Sequence, residues 1–224
     1  GEACYIGKIT DDDFGNVFHK DLNNVGVKFD SSENKLNLPT GCCLIQVTPD
    51  AQRTLNTHLG ISAYLSPTDV DPHLVASGKI LYCEGYLWDT DEAKAAIRYA
   101  MDIAKQFDRT VALALSDVRC VERHREDWLD LLDDFVNLMF GNEQELCSLY
   151  ETESLMEALK AASEKVGLVF VTLGERGSLG VKNGEIFEVP VSPVERLVDT
   201  TGAGDLYASG VLFVKDGLRD GGNK

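Results

Sequence analysis

Basic residues are scarce in this sequence. It has 21 Lys and Arg against 37 Asp and Glu, a formal net charge of −16 over 224 residues. Such a chain repels phosphate backbones and anionic lipid surfaces, so neither nucleic acid nor a membrane is expected as a partner. Any phosphate site must then be local, built from backbone N–H groups and a few cations. No apolar run approaches the ~18 residues of a membrane span. None of the six cysteines (Cys4, Cys42, Cys43, Cys83, Cys120, Cys147) forms a C-x-x-C pair. The expectation is buried, reduced thiols in a cytoplasmic protein. His19, His58, His73 and His124 have no metal-ligand spacing such as H-E-x-x-H. A G-x-x-x-x-G-K-[ST] loop is missing, which excludes a Walker-type NTPase. There is no internal repeat and no low-complexity tract.

What is present is an ordinary globular composition, 44% hydrophobic and 26% charged. That excludes a disordered chain, a collagen and a coiled coil. At roughly 150 residues per domain the length suits one large domain, or one with a small appendage. Asp11 to Gly15 reads as a helix start, because carboxylates favour the positive end of the helix dipole. Cys42 to Thr48 and Arg53 to Thr57 are β-type runs around Pro49-Asp50-Ala51-Gln52, which predicts a hairpin. From residue 79 strands and helices alternate. Strands are predicted over 79–85, 110–115, 136–140 and 168–173. Helices are predicted over 90–107, 127–134 and 154–165. Ala93, Ile97, Ala100, Met101, Ala104 and Phe107 share a face of the first of these helices. The near-continuous apolar strands suit a sheet buried on both faces, and the alternation predicts βαβ units.

Three stretches carry chemistry. Asp199-Thr200-Thr201-Gly202-Ala203-Gly204-Asp205 precedes a segment with Leu206, Gly210, Val211 and Val214 at helical spacing. Small residues let backbone N–H groups at a helix start approach an anion, and Asp205 then stands where it can take a proton from a nucleophile. A bare Gly-Ala-Gly-Asp is an ordinary helix start; the whole heptad is far more specific. Thr172-Leu173-Gly174-Glu175-Arg176-Gly177 puts a Gly-rich turn at a strand's carboxyl end, where ligands bind open α/β sheets. A tight strand-to-strand turn accounts for it equally well. Asn142 and Glu145, three apart, share a helical face and can orient water and Mg²⁺ around phosphates. Alone they read as a solvated helix start.

With these residues in place the chain resembles the ribokinase-like (PfkB) carbohydrate and nucleoside kinases, most closely the adenosine-kinase-like members. The heptad at 199–205 is similar to that family's C-terminal signature, and Asn142 to Glu145 to its N-x-x-E motif. Phe140-Gly141-Asn142-Glu143 is similar to the adenosine kinases in particular. Thr172, Gly174 and Gly177 match its nucleotide-binding turn, and Gln52-Arg53-Thr54-Leu55-Asn56 resembles a lid segment of bacterial members.

The resemblance implies a three-layer, Rossmann-like fold, a mainly parallel sheet flanked by helices, with a small β lid. It implies ATP and Mg²⁺, with γ-phosphoryl transfer to a hydroxyl of a nucleoside or sugar. Asp205 would be the general base, Gly202, Ala203 and Gly204 the anion hole, and Arg53 a lid residue reaching the transferred phosphate. Thr172, Gly174, Gly177, Asn142 and Thr200 would hold the nucleotide. Glu145 with Asn142 would organise Mg²⁺ indirectly, through water. The lid could also pair two copies as a homodimer.

The alternatives are a sugar kinase of the ribokinase or fructokinase type, or a catalytically silent nucleotide-binding fragment. A dinucleotide-dependent oxidoreductase would need G-x-G-x-x-G after a first strand, which is absent. The family's N-terminal Gly-Gly-x-x-x-Asn signature and first-strand substrate Asp are absent, as are the helices that close over adenine beyond Lys224. The expectation is therefore one ribokinase-like α/β domain over 1–224, cut at both ends, with the lid within about 31–65. By itself it should bind ATP poorly and phosphorylate nothing.

Overall fold

A computed structural model describes residues 2–31, 36–49, 53–193 and 197–220. In chain order the elements are α1 (Asp13–Asn24), β1 (Cys42–Val47), β2 (Arg53–His58), α2 (Pro72–Ser77), β3 (Ile80–Glu84), α3 (Asp91–Gln106), β4 (Thr110–Ala114) and α4 (Val118–Arg123). There follow α5 (Arg125–Asp134), β5 (Leu138–Asn142), α6 (Glu143–Leu149), α7 (Leu155–Lys165), β6 (Leu168–Thr172), β7 (Ser178–Lys182), β8 (Glu185–Val189) and α8 (Ala203–Asp220). The chain divides into two compact units: Gly1–Asp71 with Thr90–Ala96 and Glu195–Lys224, and Pro72–Asp89 with Ile97–Val194.

The second unit holds a six-stranded sheet of order β3-β4-β5-β6-β7-β8. The first four strands are parallel and the last two antiparallel, so the mainly parallel sheet read from the sequence is present, flanked by helices. Its centre is dry. Val111, Ala112, Leu113, Leu138, Met139, Val169 and Val171 are essentially unexposed, which is why β4, β5 and β6 read as unbroken apolar runs.

Trp88 and Trp128, both fully buried, lie 5.0 Å apart beneath the helices. Each indole N–H has an acceptor: Trp88 donates to Asp127 at 2.8 Å and Trp128 to the Cys120 carbonyl at 3.3 Å. Burying two large rings therefore strands no donor. Among the described residues β3 is paired on one side only, by β4.

Three readings need correcting. The strand expected over 136–140 is β5, two residues later, because Val136 still donates to the carbonyl of Leu131 in α5. Phe107 falls beyond the end of α3 and is half exposed. Cysteine burial holds only for Cys83 and Cys120; Cys147 is intermediate, and Cys4, Cys42 and Cys43 are exposed, although all six are free thiols. Cys42 and Cys43 lie on a two-stranded ribbon whose faces are both open. The helices α2 and α4 and the β7–β8 hairpin escaped the sequence reading. The hairpin had a signal: Asn183 and Gly184 both take positive φ (52° and 79°), as an Asn-Gly two-residue hairpin turn requires.

The first unit carries the β1–β2 ribbon, antiparallel with Cys42 opposite His58 and Val47 opposite Arg53. The ribbon is the expected hairpin; of the segment between its strands, Asp50, Ala51 and Gln52 lie outside the described residues. Its root is held tightly. Asp12 caps α1 through the Gly15 N–H at 2.8 Å and takes the Thr40 N–H on its other oxygen, also at 2.8 Å. The two N–H groups, Thr40 first, keep this carboxyl below its ordinary pKa. Gly15 has no room for a methyl group, since a Cβ there would lie 1.9 Å from the Thr10 carbonyl oxygen.

Nearby, Lys8 donates to both oxygens of Asp69 at 3.0 and 2.9 Å, with side chains only 11% and 4% exposed. The Ser66 N–H and hydroxyl also donate to Asp69, each at 2.8 Å. Removing one partner of such a pair leaves a desolvated charge. Lys8→Ala should therefore lower stability by about 3–5 kcal/mol, read as a lower urea midpoint with an unchanged m-value. A shift within error would show that water reaches Asp69.

Candidate functional site

The second unit brings together Asn142, Glu145, Thr172, Gly174 and Gly177. Asn142 ends β5 and Thr172 ends β6, and the two are register partners in the parallel pair. The carboxyl ends of neighbouring strands thus lie side by side. Asn142 also caps α6. Its side-chain oxygen accepts the Glu145 N–H at 2.8 Å, and its backbone N–H and amide nitrogen donate to the Glu145 carboxylate at 2.9 and 2.7 Å. This reciprocal box satisfies helix-start groups that would otherwise be orphaned.

Glu145 is only 6% exposed, so the solvated helix start expected from sequence is corrected here. The pair faces inward because each member holds the other. Burial pushes the Glu145 carboxyl up from its ordinary pKa, Asp117 adds to this, and the Asn142 N–H opposes it. Among the described residues no group of three or more His, Cys, Asp or Glu side chains could hold a metal ion directly.

The Gly-rich turn stands at the end of β6, and it is also the strand-to-strand turn into β7. Two short bonds close it, Leu173 N–H to the Gly177 carbonyl (2.8 Å) and Gly177 N–H to the Gly174 carbonyl (3.1 Å). Gly174 and Gly177 have φ of 61° and 93°. Their surroundings differ. A Cβ on Gly177 would lie 2.1 Å from the Val189 carbonyl oxygen, whereas a Cβ on Gly174 would meet nothing within 4 Å. Arg176, between them, is ion-paired with Glu143, the first residue of α6. Neither Glu143 nor Arg176 was singled out from the sequence.

The first unit brings together Arg53, Asp199, Thr200 and residues 202–205. Asp199 folds the loop, accepting the Thr201 N–H at 2.8 Å and its hydroxyl at 2.7 Å on one oxygen. The Thr201 N–H is the main cause of a lowered Asp199 pKa, and the positive Arg53 adds to it. The Arg53 guanidinium donates to the Thr200 hydroxyl, so strand β2 and the heptad meet. Gly202, with φ 75°, turns the chain into α8. Gly204 has open space around it. Asp205 lies in the first turn of α8, exposed, with no hydrogen-bond partner for its carboxylate among the described residues.

The helix expected after the heptad is α8. Its apolar residues Leu206 and Val214 are 75% and 58% exposed, whereas Ala208 is buried. The face at 206, 210 and 214 is the one that no described residue covers.

Residues 1–214 match the profile of the pfkB family of carbohydrate kinases. The chain belongs to the PfkB family. Its fold agrees. An adenosine kinase from Sinorhizobium meliloti superposes with a TM-score of 0.92 at 44% identity, over 95% of this chain and 65% of that one. A probable sugar kinase from Rhizobium etli gives 0.91 at 40% identity, with the same coverage. A probable fructokinase of Arabidopsis thaliana is 25% identical over 223 residues, which is 95% of this chain and 67% of the plant protein. The chain thus spans about two thirds of the length of these PfkB relatives.

The two glycines of the turn separate fold from ligand space. Gly177→Ala should cost about 2–5 kcal/mol, from strain at positive φ and a backbone clash. Gly174→Ala should cost only about 1–2 kcal/mol, from φ alone. Paired urea denaturation curves check this, and equal losses would contradict the open space assigned to Gly174.

Proposed function

We propose that the protein is an ATP-dependent phosphotransferase that carries the γ-phosphoryl of ATP to a hydroxyl of a nucleoside or sugar. The observation that carries this reading is the loop at 199–205. It is folded by its own Asp199 and touched by Arg53, and it opens an 18-residue helix whose first turn carries Asp205, a carboxylate with no partner among the described residues. Backbone N–H groups at a helix start carry no intrahelical bond and draw anions. In a chain of net charge −16 this is the means of holding a phosphoryl group that needs no basic face.

In this reading Gly202, Ala203 and Gly204 offer their N–H groups to the transferred phosphoryl, and Asp205 accepts the proton of the attacking hydroxyl. Arg53 places positive charge beside the phosphoryl from the lid strand. Thr200, which that guanidinium contacts, lines the nucleotide phosphates. Thr172, Gly174 and Gly177 hold the nucleotide at the carboxyl end of β6. Asn142 and Glu145 would orient the water shell of a Mg²⁺ ion, which they would hold indirectly. Mg²⁺ supplies charge neutralisation in the transition state; the residues supply position.

The ribbon β1–β2 is assigned the lid. Its exposed Leu44 (65%), Ile45 (38%), Val47 (44%) and Leu55 (50%) are the surface that closure, or a second copy of the chain, would cover. Two relatives, at 44% and 40% identity, are described as an adenosine kinase and a probable sugar kinase. We favour a nucleoside acceptor of the adenosine type, on the higher identity and on Phe140-Gly141-Asn142-Glu143. A sugar acceptor is the second reading.

In the whole protein Asp205→Asn should lower kcat about 100-fold or more while ATP affinity persists. Turnover at the wild-type rate would remove Asp205 from the chemistry. Glu145→Gln should raise the Mg²⁺ concentration needed for half-maximal rate; an unaltered Mg²⁺ titration would reduce Asn142 and Glu145 to a helix cap alone. A coupled assay across adenosine, other nucleosides, ribose and fructose assigns the acceptor.

A further inference from the structure

The ion pair between Glu143 and Arg176 has no task in the roles above, yet it joins the two segments assigned to the nucleotide. Glu143 opens α6 directly after Asn142. Arg176 sits in the turn between Gly174 and Gly177. Because Asn142 and Thr172 are register partners, the pair spans the carboxyl ends of β5 and β6. Both side chains face solvent, Arg176 58% and Glu143 38% exposed. An exposed pair of this kind is weak and readily exchanged. The backbone under Arg176 is not free to move, since its own N–H bonds the Leu173 carbonyl at 3.3 Å and Gly177 has no room for a side chain. The guanidinium is therefore a flexible donor on a fixed base, beside the open space at Gly174.

We propose that Arg176 is a nucleotide-positioning residue that exchanges partners. It rests on the Glu143 carboxylate in the free protein and turns to the phosphate oxygens of the nucleotide when ATP binds. This rests on the kinase reading above. Guanidinium suits the task because its planar fork matches two oxygens of a phosphate as well as two of a carboxylate. Glu143 does two things. Before binding it keeps the side chain at the edge of the sheet, and during binding it competes with the phosphates for it. In an acidic protein that competition matters, because free cations near the ligand are few.

A pair with only a structural role and a pair that exchanges partners respond differently when broken from its two ends. Structural pairing predicts the same sign for Arg176→Ala and Glu143→Gln. Exchange predicts opposite signs. Arg176→Ala removes the phosphate donor and should weaken MgATP binding about tenfold. Glu143→Gln removes the competitor and should tighten it about threefold. Arg176→Lys, a point charge without the fork, should fall between wild type and Arg176→Ala. Adenosine, which has no phosphate, should bind all four proteins equally.

Isothermal titration of the whole protein and the three variants with MgATP and with adenosine reads all of this, and thermal melts confirm that each variant is folded. If Glu143→Gln and Arg176→Ala both weaken MgATP, or neither changes it, the exchange is wrong while the kinase reading stands. If the wild-type protein binds no MgATP at all, the kinase reading falls and the exchange with it.

Discussion

The reciprocal cap between Asn142 and Glu145 fixes the architecture of the sheet's carboxyl-terminal edge at β5 and β6. Three hydrogen bonds of 2.7–2.9 Å end a buried strand and start a helix at one residue, with no intervening loop. Because β5 is locked between β4 and β6 by Leu138, Met139 and Phe140, that residue cannot drift along the sheet. Its register partner Thr172 then sets where the Gly174–Gly177 turn begins. A one-residue slip would take Asn142 off its partner Thr172 and exchange the faces on which Leu138, Met139 and Phe140 pack. The position of every group assigned to the nucleotide in this unit follows from the dry packing of three short strands.

An acidic protein that handles a polyanion cannot rely on a general positive field. In the proposed reading the means of holding anions lies mainly in backbone N–H groups at turns and at a helix start. Positive φ at Gly174, Gly177 and Gly202 turns the chain where side chains would obstruct a ligand or clash with the backbone. The charged contributors are few and held locally: Arg53 between Asp199 and Thr200, and Arg176 on Glu143. Both arginines are exposed and held by weak partners, which leaves them able to follow a ligand. The Lys8–Asp69 pair and the Asp12 contacts to Thr40 and Gly15 do the opposite work and keep these segments in place.

Much of this was legible in the sequence, and the parts that were not share a cause. Strong periodicity gave α3, β4, β6 and α7 nearly to the residue, because burial on a regular face leaves a regular pattern. The heptad at 199–205 announced its loop and helix, since few other uses require so many small residues beside two aspartates. The inward turn of Glu145 was not legible: a helix start rich in glutamate reads as solvated unless the capping partner is known to end a buried strand. The exposed face of α8 could not be read either, because apolar spacing says which residues share a face and not what covers it. Glu143 and Arg176 are 33 residues apart, and only the register of β5 and β6 brings them together. The β7–β8 hairpin does have a local signal, Asn183-Gly184, a two-residue turn with both residues at positive φ.

The central claim is that the Gly-rich turn, the Asn142–Glu145 cap and the start of α8 are nucleotide-binding segments. Amide chemical-shift mapping of the isotope-labelled 224-residue chain, titrated with Mg²⁺ and a non-hydrolysable ATP analogue, tests it most directly and tolerates weak binding. The account predicts saturable shifts concentrated at Asn142 to Glu145, Gly174 to Gly177 and Gly202 to Asp205, with the amides of α5 and α7 unmoved. Shifts centred elsewhere, or none at millimolar analogue, would contradict it.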